Sequence, residues 1–320
     1  MGIEDKICRF YYETVKLLQG DFKKSSLFLE QASTSMVFGR EFGDSSLSSK
    51  RAYELLFFWN LSYPGAKNPY NKGEMNEILK LCSIVDNKSF FDKVIEEDPF
   101  LPRKIYMMCR LAYDLEKEDA LSIALSLLKL KNKDYIESYR AFSKLKNIIR
   151  TGWIDRNVKE SYQENDSLHI MQMFALAFAY FSLDKDITLD QKRVYEMILI
   201  HEIGEIIAGD IRETDKRHAT KHEIEKQAIE KTFSYIKTGD YFISLWKEFE
   251  RKETEEALFT YQLDKIDPIL KAAFLDLKLN RTDLFIDFFS YEKNRDTFER
   301  GKVKELFQHV EKKWLATKSN

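Results

Sequence analysis

Residues that form turns are scarce in this sequence. Its 320 residues include only 11 glycines and 5 prolines, too few for the many tight turns of a β-sandwich or a barrel. Leu, Lys, Glu, Ile and Phe dominate instead, and this balance favours helices. A chain of this length is expected to form two domains. We therefore predict an all-α protein, with one helical domain over residues 1–147 and a second over residues 148–320.

Cysteine is also rare. The three cysteines, Cys8, Cys82 and Cys109, are widely spaced and form no CxxC pair. This spacing argues against a disulfide framework and predicts a reducing, cytoplasmic location. The first residues, MGIEDKICRF, lack a basic start followed by an apolar run, so we expect no signal peptide.

An excess of charge of one sign is lacking as well. The formal net charge is −2, which gives no overall attraction to nucleic acid or to an anionic membrane. The most apolar run, residues 168–183, includes His169 and Gln172 and is too short to cross a bilayer. We expect neither nucleic acid nor a membrane as a partner.

Amphipathic periodicity predicts helices in both halves of the chain. In the first half they are expected at residues 4–19, 26–38, 48–61, 73–85, 101–115, 118–130 and 133–148. In the second half they are expected at residues 167–183, 189–208, 219–237, 240–250, 254–276, 281–291 and 300–316. Only the second half has ionisable residues inside its apolar stretches, so we look for a functional site there.

One such residue is His169, near the start of an apolar helix whose predicted N-cap is Asp166 or Ser167. A lone histidine in this position is more often a hydrogen-bonded core residue than a metal ligand. Its role therefore depends on what lies nearby in the fold.

A second group lies in the isoleucine-rich segment 198–210, which contains His201, Glu202 and Glu205. Unpaired charges in such a run would cost several kcal/mol, and a cation would offset that cost. Gly209 is suited to ending the helix, which would place Asp210 over the same end. The alternative is that Glu202 and Glu205 lie in water at the edge of a helix, although the surrounding isoleucines leave little room for a solvated edge. The HExxH metalloprotease pattern fails, because Glu205 stands where its second histidine is required.

Two further features carry ionisable side chains. Asp264 lies in the helical segment 261–267 and, taken alone, is an ordinary charged residue of an amphipathic helix. His218 and His222 have the i, i+4 spacing of a metal pair, but the basic residues around them indicate a solvated surface.

Several motifs follow one another along the second half: Arg150-Thr151-Gly152-Trp153, His169, His201-Glu202-x-x-Glu205, Gly209-Asp210, Lys221-His222-x-x-Glu225, Thr254-x-Glu256-Ala257 and Leu263-Asp264-Lys265. In this order they resemble the HD-domain 5′-deoxynucleotidase family over about residues 148–314. A series of motifs in order is more specific than any one of them. Residues 1–147 lie outside the resemblance.

The resemblance implies a helical HD-domain bundle that holds one divalent metal ion. The ligands that it implies are His169, His201, Glu202 and Asp264, a set that suits Mn²⁺, Co²⁺, Fe²⁺ or Mg²⁺. It further implies that Glu205 acts as an acid or base and that Asp210 positions the attacking water. Arg150 would bind the substrate phosphate through its bidentate guanidinium.

Position 202 departs from the family pattern, which has aspartate beside the histidine. The extra methylene of Glu202 moves the carboxylate by more than about 1 Å unless the helix adjusts. Coordination distances tolerate only about ±0.2 Å, so the substitution bears directly on metal binding. The other expected positions, including Glu205, Asp210 and Arg150, are retained.

The leading hypothesis is a cytoplasmic, metal-dependent phosphomonoester hydrolase that acts on a nucleoside 5′-monophosphate or a related phosphorylated metabolite. The alternative is a catalytically degenerate HD domain that senses nucleotides or binds proteins. We also expect a homo-oligomer, a dimer, and consider residues 1–147 the part that would recruit a protein partner or build the oligomer.

The role of Glu202 can be tested with two variants. If the side chain is a ligand, Glu202→Asp should keep or raise both metal binding and phosphatase activity, because aspartate restores the family's geometry, whereas Glu202→Ala should lose both. Metal content and phosphate release measured on the same preparations check this. Wild-type behaviour of Glu202→Ala would show that the side chain coordinates nothing.

Overall fold

A computed structural model describes residues 2–18, 144–212, 214–234, 239–289 and 296–318. These residues form helices without strands, and a single isolated bridge joins Ile149 to Asn165. The all-α prediction is confirmed for them. The helices expected between residues 26 and 130, and most of the helix expected over residues 133–148, lie outside the described residues. No helix in the described part of the chain combines the length and the apolar character needed to cross a bilayer.

The helices are numbered here in chain order. They are α1 (Ile3–Leu18), α2 (Thr151–Asp155), α3 (Asp166–Leu183), α4 (Gln191–Ile200), α5 (Glu205–Ala208), α6 (Lys221–Phe233), α7 (Gly239–Arg251), α8 (Glu255–Leu279), α9 (Leu284–Phe289) and α10 (Lys304–Lys318). Short 3₁₀ turns lie at Leu145–Asn147, Glu160–Tyr162 and Lys216–Thr220.

Helices α3 and α8 form the centre of the bundle, and both are buried over most of their length. The N-cap of α3 is Asn165, whose side chain accepts a hydrogen bond from the amide of Leu168 at 2.8 Å. The prediction of Asp166 or Ser167 as the cap was wrong, because the chain enters helical geometry one residue earlier. At its other end, α8 stops at Asn280 in the left-handed conformation.

The predicted helix over residues 189–208 is interrupted. Helix α4 ends at Ile200, a turn covers residues 201–204, and α5 begins at Glu205. Within the turn the amide of Glu205 donates to the carbonyl of Glu202 at 3.0 Å, a bond to the third rather than the fourth preceding residue. The prediction of one continuous helix was therefore wrong. Gly209, with φ of 70°, ends α5 as expected.

Helix α1 packs against α3, α8 and α10. Its residues Ile7, Tyr11 and Val15 recur at the spacing of one helical face, and all three are buried. The first helix thus belongs to the same packed core as the helices of the second half. The domain boundary expected after residue 147 stays a prediction, since most of the first 147 residues lie outside the described part.

One ion pair is buried in the core. The ammonium of Lys271, on α8, lies 2.6 Å from a carboxylate oxygen of Glu164, and both side chains are almost wholly buried. The indole of Trp153 donates to the other oxygen of Glu164 at 2.8 Å. Burial raises the pKa of Glu164, but Lys271 and His169 outweigh burial, so this pKa is lowered. The pair fixes the segment before α3 against α8.

Removing one partner of this pair should cost much more than removing a surface ion pair. We expect Lys271→Ala to lower the free energy of unfolding by about 3–5 kcal/mol, because it leaves the Glu164 charge buried and unpaired. Lys226→Ala, which breaks the exposed pair with Glu223, should lower the free energy of unfolding far less, because solvent screens that pair. Urea unfolding of both variants measures the difference; equal losses would contradict the interpretation.

Candidate metal centre

Four side chains predicted as ligands meet at one point between three helices. His169 comes from α3, His201 and Glu202 from the turn after α4, and Asp264 from α8. One ligating atom of each lies within 4.8 Å of the others, and all four residues are buried. The Nε2 atom of His169 is 3.2 Å from Asp264 Oδ1 and 3.7 Å from Glu202 Oε1.

The donor atoms fit a divalent ion in both spacing and orientation. Ligands at right angles around an ion, each about 2.1 Å away, are about 3 Å apart, close to the 3.4 Å between His201 Nε2 and Glu202 Oε1. The Nδ1 atom of His201 contacts the carbonyl of Ile198 at 2.8 Å. That bond assigns the ring proton to Nδ1. The Nε2 atom is buried without a hydrogen-bond partner and faces the other ligands, as a metal-binding nitrogen does.

The other histidine is held by a carboxylate that the ligand prediction did not include. Asp267 places Oδ2 2.6 Å from His169 Nδ1, and both side chains are fully buried. A carboxylate behind a ligating histidine fixes the orientation of the ring and leaves Nε2 for the ion. Asp267 lies three residues after Asp264, on the same face of α8. This spacing could have revealed it in the sequence.

The charges at the centre are compensated by their neighbours. Burial raises the pKa of Glu202, but His201 and Arg150 hold it well below its usual value. Burial likewise raises the pKa of Asp264, and Lys265 and His169 lower it further than burial raises it. Both carboxylates are therefore ionised, as a cation requires.

His169 itself is basic. Burial and Arg150 lower its pKa, but the hydrogen bonds with Asp264 and Asp267 outweigh them and raise it to about 9. In the absence of a cation, a proton at Nε2 therefore takes the place that a metal ion would fill.

A different protonation state holds at Glu205. Burial, with Glu202 and Asp210 nearby, raises its pKa well above the usual value. One carboxyl oxygen lies 3.4 Å from Lys221, and the other is buried without a partner. Two carboxyl groups with opposed protonation, Glu202 and Glu205, thus lie near each other, the arrangement from which acid and base roles arise.

Arg150 and Asp210 border the centre. The guanidinium of Arg150 contacts Glu202 and lies 3.8 Å from Asp264. Asp210 accepts hydrogen bonds from the backbone and the hydroxyl of Thr151. The contact between Thr151 and Asp210 joins the segment that follows α5 to the start of α2, next to Arg150.

Two further buried carboxyl groups were not predicted as site residues. Glu164 holds the ion pair with Lys271, and Asp166 is fully buried with both oxygens unpartnered. Burial and the nearby Glu205 raise the pKa of Asp166 well above its usual value. In contrast, His218 and His222 are exposed, and the described residues show no ligand cluster that includes them.

The sequence of this chain is similar to those of known proteins. The sequence profile described as HD domain matches residues 142–304. The 5′-deoxynucleotidase HDDC2 of Xenopus laevis is 31% identical over 163 residues, 49% of this chain and 77% of that protein. The 5′-deoxynucleotidase HDDC2 of Danio rerio is 30% identical over 140 residues, 43% of this chain and 67% of that protein.

A crystal structure described as "Predicted metal-dependent phosphohydrolase", from Magnetospirillum magnetotacticum MS-1, is 28% identical and covers 54% of this chain and 85% of its own, with a TM-score of 0.42.

The raised pKa of His169 predicts that metal binding depends on pH. A metal ion must displace the Nε2 proton, so below pH 9 binding should release about one proton, and the affinity for Mn²⁺ should fall about tenfold per pH unit as the pH drops. Above about pH 9 the dependence should flatten. Titration calorimetry between pH 6.5 and 8.5, in buffers of different ionisation enthalpy, measures both quantities.

The exposed His218 supplies the control, since His218→Ala should leave the pH dependence unchanged. A pH-independent affinity in the wild type would show that the ion does not compete with a proton on His169.

Proposed function

The chain belongs to the HD domain family, and we propose that it is a metal-dependent phosphohydrolase that removes the phosphate from a nucleoside 5′-monophosphate. The observation that carries the proposal is the convergence of His169, His201, Glu202 and Asp264 on one point, with Arg150 beside them. The choice of a nucleotide rests on similarity to proteins described as 5′-deoxynucleotidases.

We assign one divalent ion, Mn²⁺, Co²⁺, Fe²⁺ or Mg²⁺, to these four ligands. When bound, such an ion polarises a phosphoryl oxygen and lowers the pKa of a coordinated water. The mixture of imidazole and carboxylate ligands suits these ions better than it suits a structural zinc ion, whose sites are rich in thiolates.

The residues around the ligands have the other roles in the proposed reaction. Arg150 is the anion-binding group, because its guanidinium presents parallel N–H donors to two phosphoryl oxygens. Arg150 contacts Glu202 in the structure. A substrate phosphate would therefore compete with Glu202 for the guanidinium. Binding of a cation to Glu202 would favour that exchange, since it neutralises the carboxylate that holds the arginine.

Glu205 is the proton donor. Its raised pKa keeps the carboxyl group protonated, so it can protonate the 5′-oxygen as the bond from that oxygen to phosphorus breaks. A water molecule forms the new bond to phosphorus and yields inorganic phosphate and the nucleoside. Asp210, whose carboxylate accepts hydrogen bonds from Thr151, would orient that water.

The proposal is tested by phosphate release from a panel of nucleoside 5′-monophosphates and other phosphorylated metabolites. Protein freed of metal and reloaded with Mn²⁺ or Co²⁺ should release phosphate from at least one deoxynucleoside 5′-monophosphate, and chelation should abolish the reaction. Glu205→Gln should lower kcat by about 10²–10⁴-fold while it keeps the metal.

Matched carboxylate variants separate the ligands from surface acids. Asp264→Ala should lose both metal and activity, whereas Asp215→Ala, which removes a carboxylate of the exposed pair with Arg217, should keep both. Wild-type metal content in Asp264→Ala would overturn the ligand set. Metal binding without turnover of any substrate would favour the nucleotide-sensing alternative.

The assembly of the chain and its location in the cell are also proposed. We propose a homodimer, with residues 1–147 as the part of the chain that would contact a protein partner, and a cytoplasmic location. Light scattering of the purified protein measures the oligomeric state directly.

A further inference from the structure

The deepest contact between the first helix and the rest of the fold leads to the candidate metal centre. Tyr11, on α1, is fully buried. Its hydroxyl lies 2.6 Å from Asp267 Oδ1, 3.0 Å from the backbone oxygen of the same residue and 3.0 Å from Gln172 Oε1. A hydroxyl has one proton to donate. Of the three neighbouring oxygens, the carboxylate oxygen of Asp267 is the closest and the strongest acceptor, so it receives that proton.

Asp267 is therefore held from both sides. Its Oδ1 accepts from Tyr11, and its Oδ2 contacts His169 Nδ1 at 2.6 Å. The opposite ring nitrogen of His169 faces Asp264 and Glu202. A continuous chain of hydrogen bonds thus runs from α1 through α8 to the ring of His169 on α3.

The proton of this chain stays on Tyr11. Burial, Asp267 and Glu164 raise the pKa of Tyr11 well above its usual value, so the hydroxyl acts as a donor to the carboxylate. Without that donor, Oδ1 of Asp267 would be a buried acceptor lacking its hydroxyl partner, which favours rotation of the carboxylate away from His169.

Tyr11 lies far outside residues 142–304, where the HD domain profile matches. The hydroxyl that contacts Asp267 thus comes from outside the matched segment. The packing of α1 through Ile7 and Val15, which flank Tyr11 on the same buried face, sets how deeply the hydroxyl reaches.

We propose that Tyr11 is a positioning residue of the metal centre, which orients Asp267 and through it the metal-binding ring of His169. The N-terminal helix is then a structural part of the catalytic unit. This inference rests on the metal site assigned under the proposed function. Partners behind a metal-binding histidine typically change metal affinity about 10–100-fold.

The test uses the full-length chain with Tyr11→Phe, which removes one oxygen and keeps the ring. The matched control is Tyr12→Phe, the same change at the next residue of α1, where the ring stacks on Phe274 outside the hydrogen-bonded chain. We expect the Mn²⁺ dissociation constant to rise about tenfold or more in Tyr11→Phe and to stay at the wild-type value in Tyr12→Phe. Excess Mn²⁺ should restore phosphate release in Tyr11→Phe.

A second measurement reports on the ring without any metal. The chain contains 5 histidines, so ¹⁵N-histidine spectra are simple, and the signals of His169 are identified by their loss in His169→Gln. The Nδ1 proton of His169 should be far downfield in the metal-free wild type. It should move upfield and exchange faster with water in Tyr11→Phe, because its carboxylate partner is less firmly held.

A double-mutant cycle distinguishes orientation through Asp267 from a general loss of packing. Tyr11→Phe should weaken Mn²⁺ binding much less in an Asp267→Asn background than in the wild type, because the two changes act on one chain of contacts. Full additivity, or a Tyr11→Phe protein with wild-type Mn²⁺ affinity and a wild-type His169 signal, would overturn the inference. A wild-type chain that binds no Mn²⁺ would instead overturn the proposed function.

Discussion

The architecture depends on the compensation of negative charge in a buried space. Glu164, Glu202 and Asp264 are ionised among apolar helices, and each is stabilised by a cationic or imidazole partner. At Glu205 the neighbouring cations do not outweigh burial and the nearby carboxylates, so this carboxyl group keeps its proton. The same balance of burial and neighbouring charge thus determines which acids are available to bind a cation and which is available to give up a proton. The contacts that stabilise these buried acids therefore also set the protonation states on which the proposed chemistry depends.

The sequence was sufficient to predict the parts of the centre that violate ordinary helix composition. His169, His201 and Glu202 stood out because ionisable groups in apolar runs need a partner. Asp264 was expected as a ligand only from the resemblance to the HD-domain family, and the structure brings all four residues together. The all-α fold followed from composition and periodicity. The break after Ile200 did not, because the isoleucines at 198, 200, 203, 206 and 207 continue across it in a pattern that suits one continuous helix equally well. Only the backbone hydrogen bonds distinguish the two.

The contacts that support the centre were beyond sequence reasoning for a different reason. Asn165 rather than Asp166 caps α3, and any of several adjacent polar residues could have done so. Lys271 and Glu164 are ordinary residues until the fold buries them as a pair. Tyr11 has no sequence signal at all, since an aromatic residue on the apolar face of a helix is normally core. Such residues acquire a role only from neighbours distant in the chain.

The position of Tyr11 also bears on the order in which this protein can fold. It and Asp267 are separated by 256 positions, and chains emerge from the ribosome starting at the N-terminus. The hydroxyl of Tyr11 therefore cannot meet its carboxylate partner until α8 has been made. Contacts of such high sequence separation form late and slowly. Completion of the metal centre is consequently tied to completion of translation, and a chain stopped before α8 cannot assemble it.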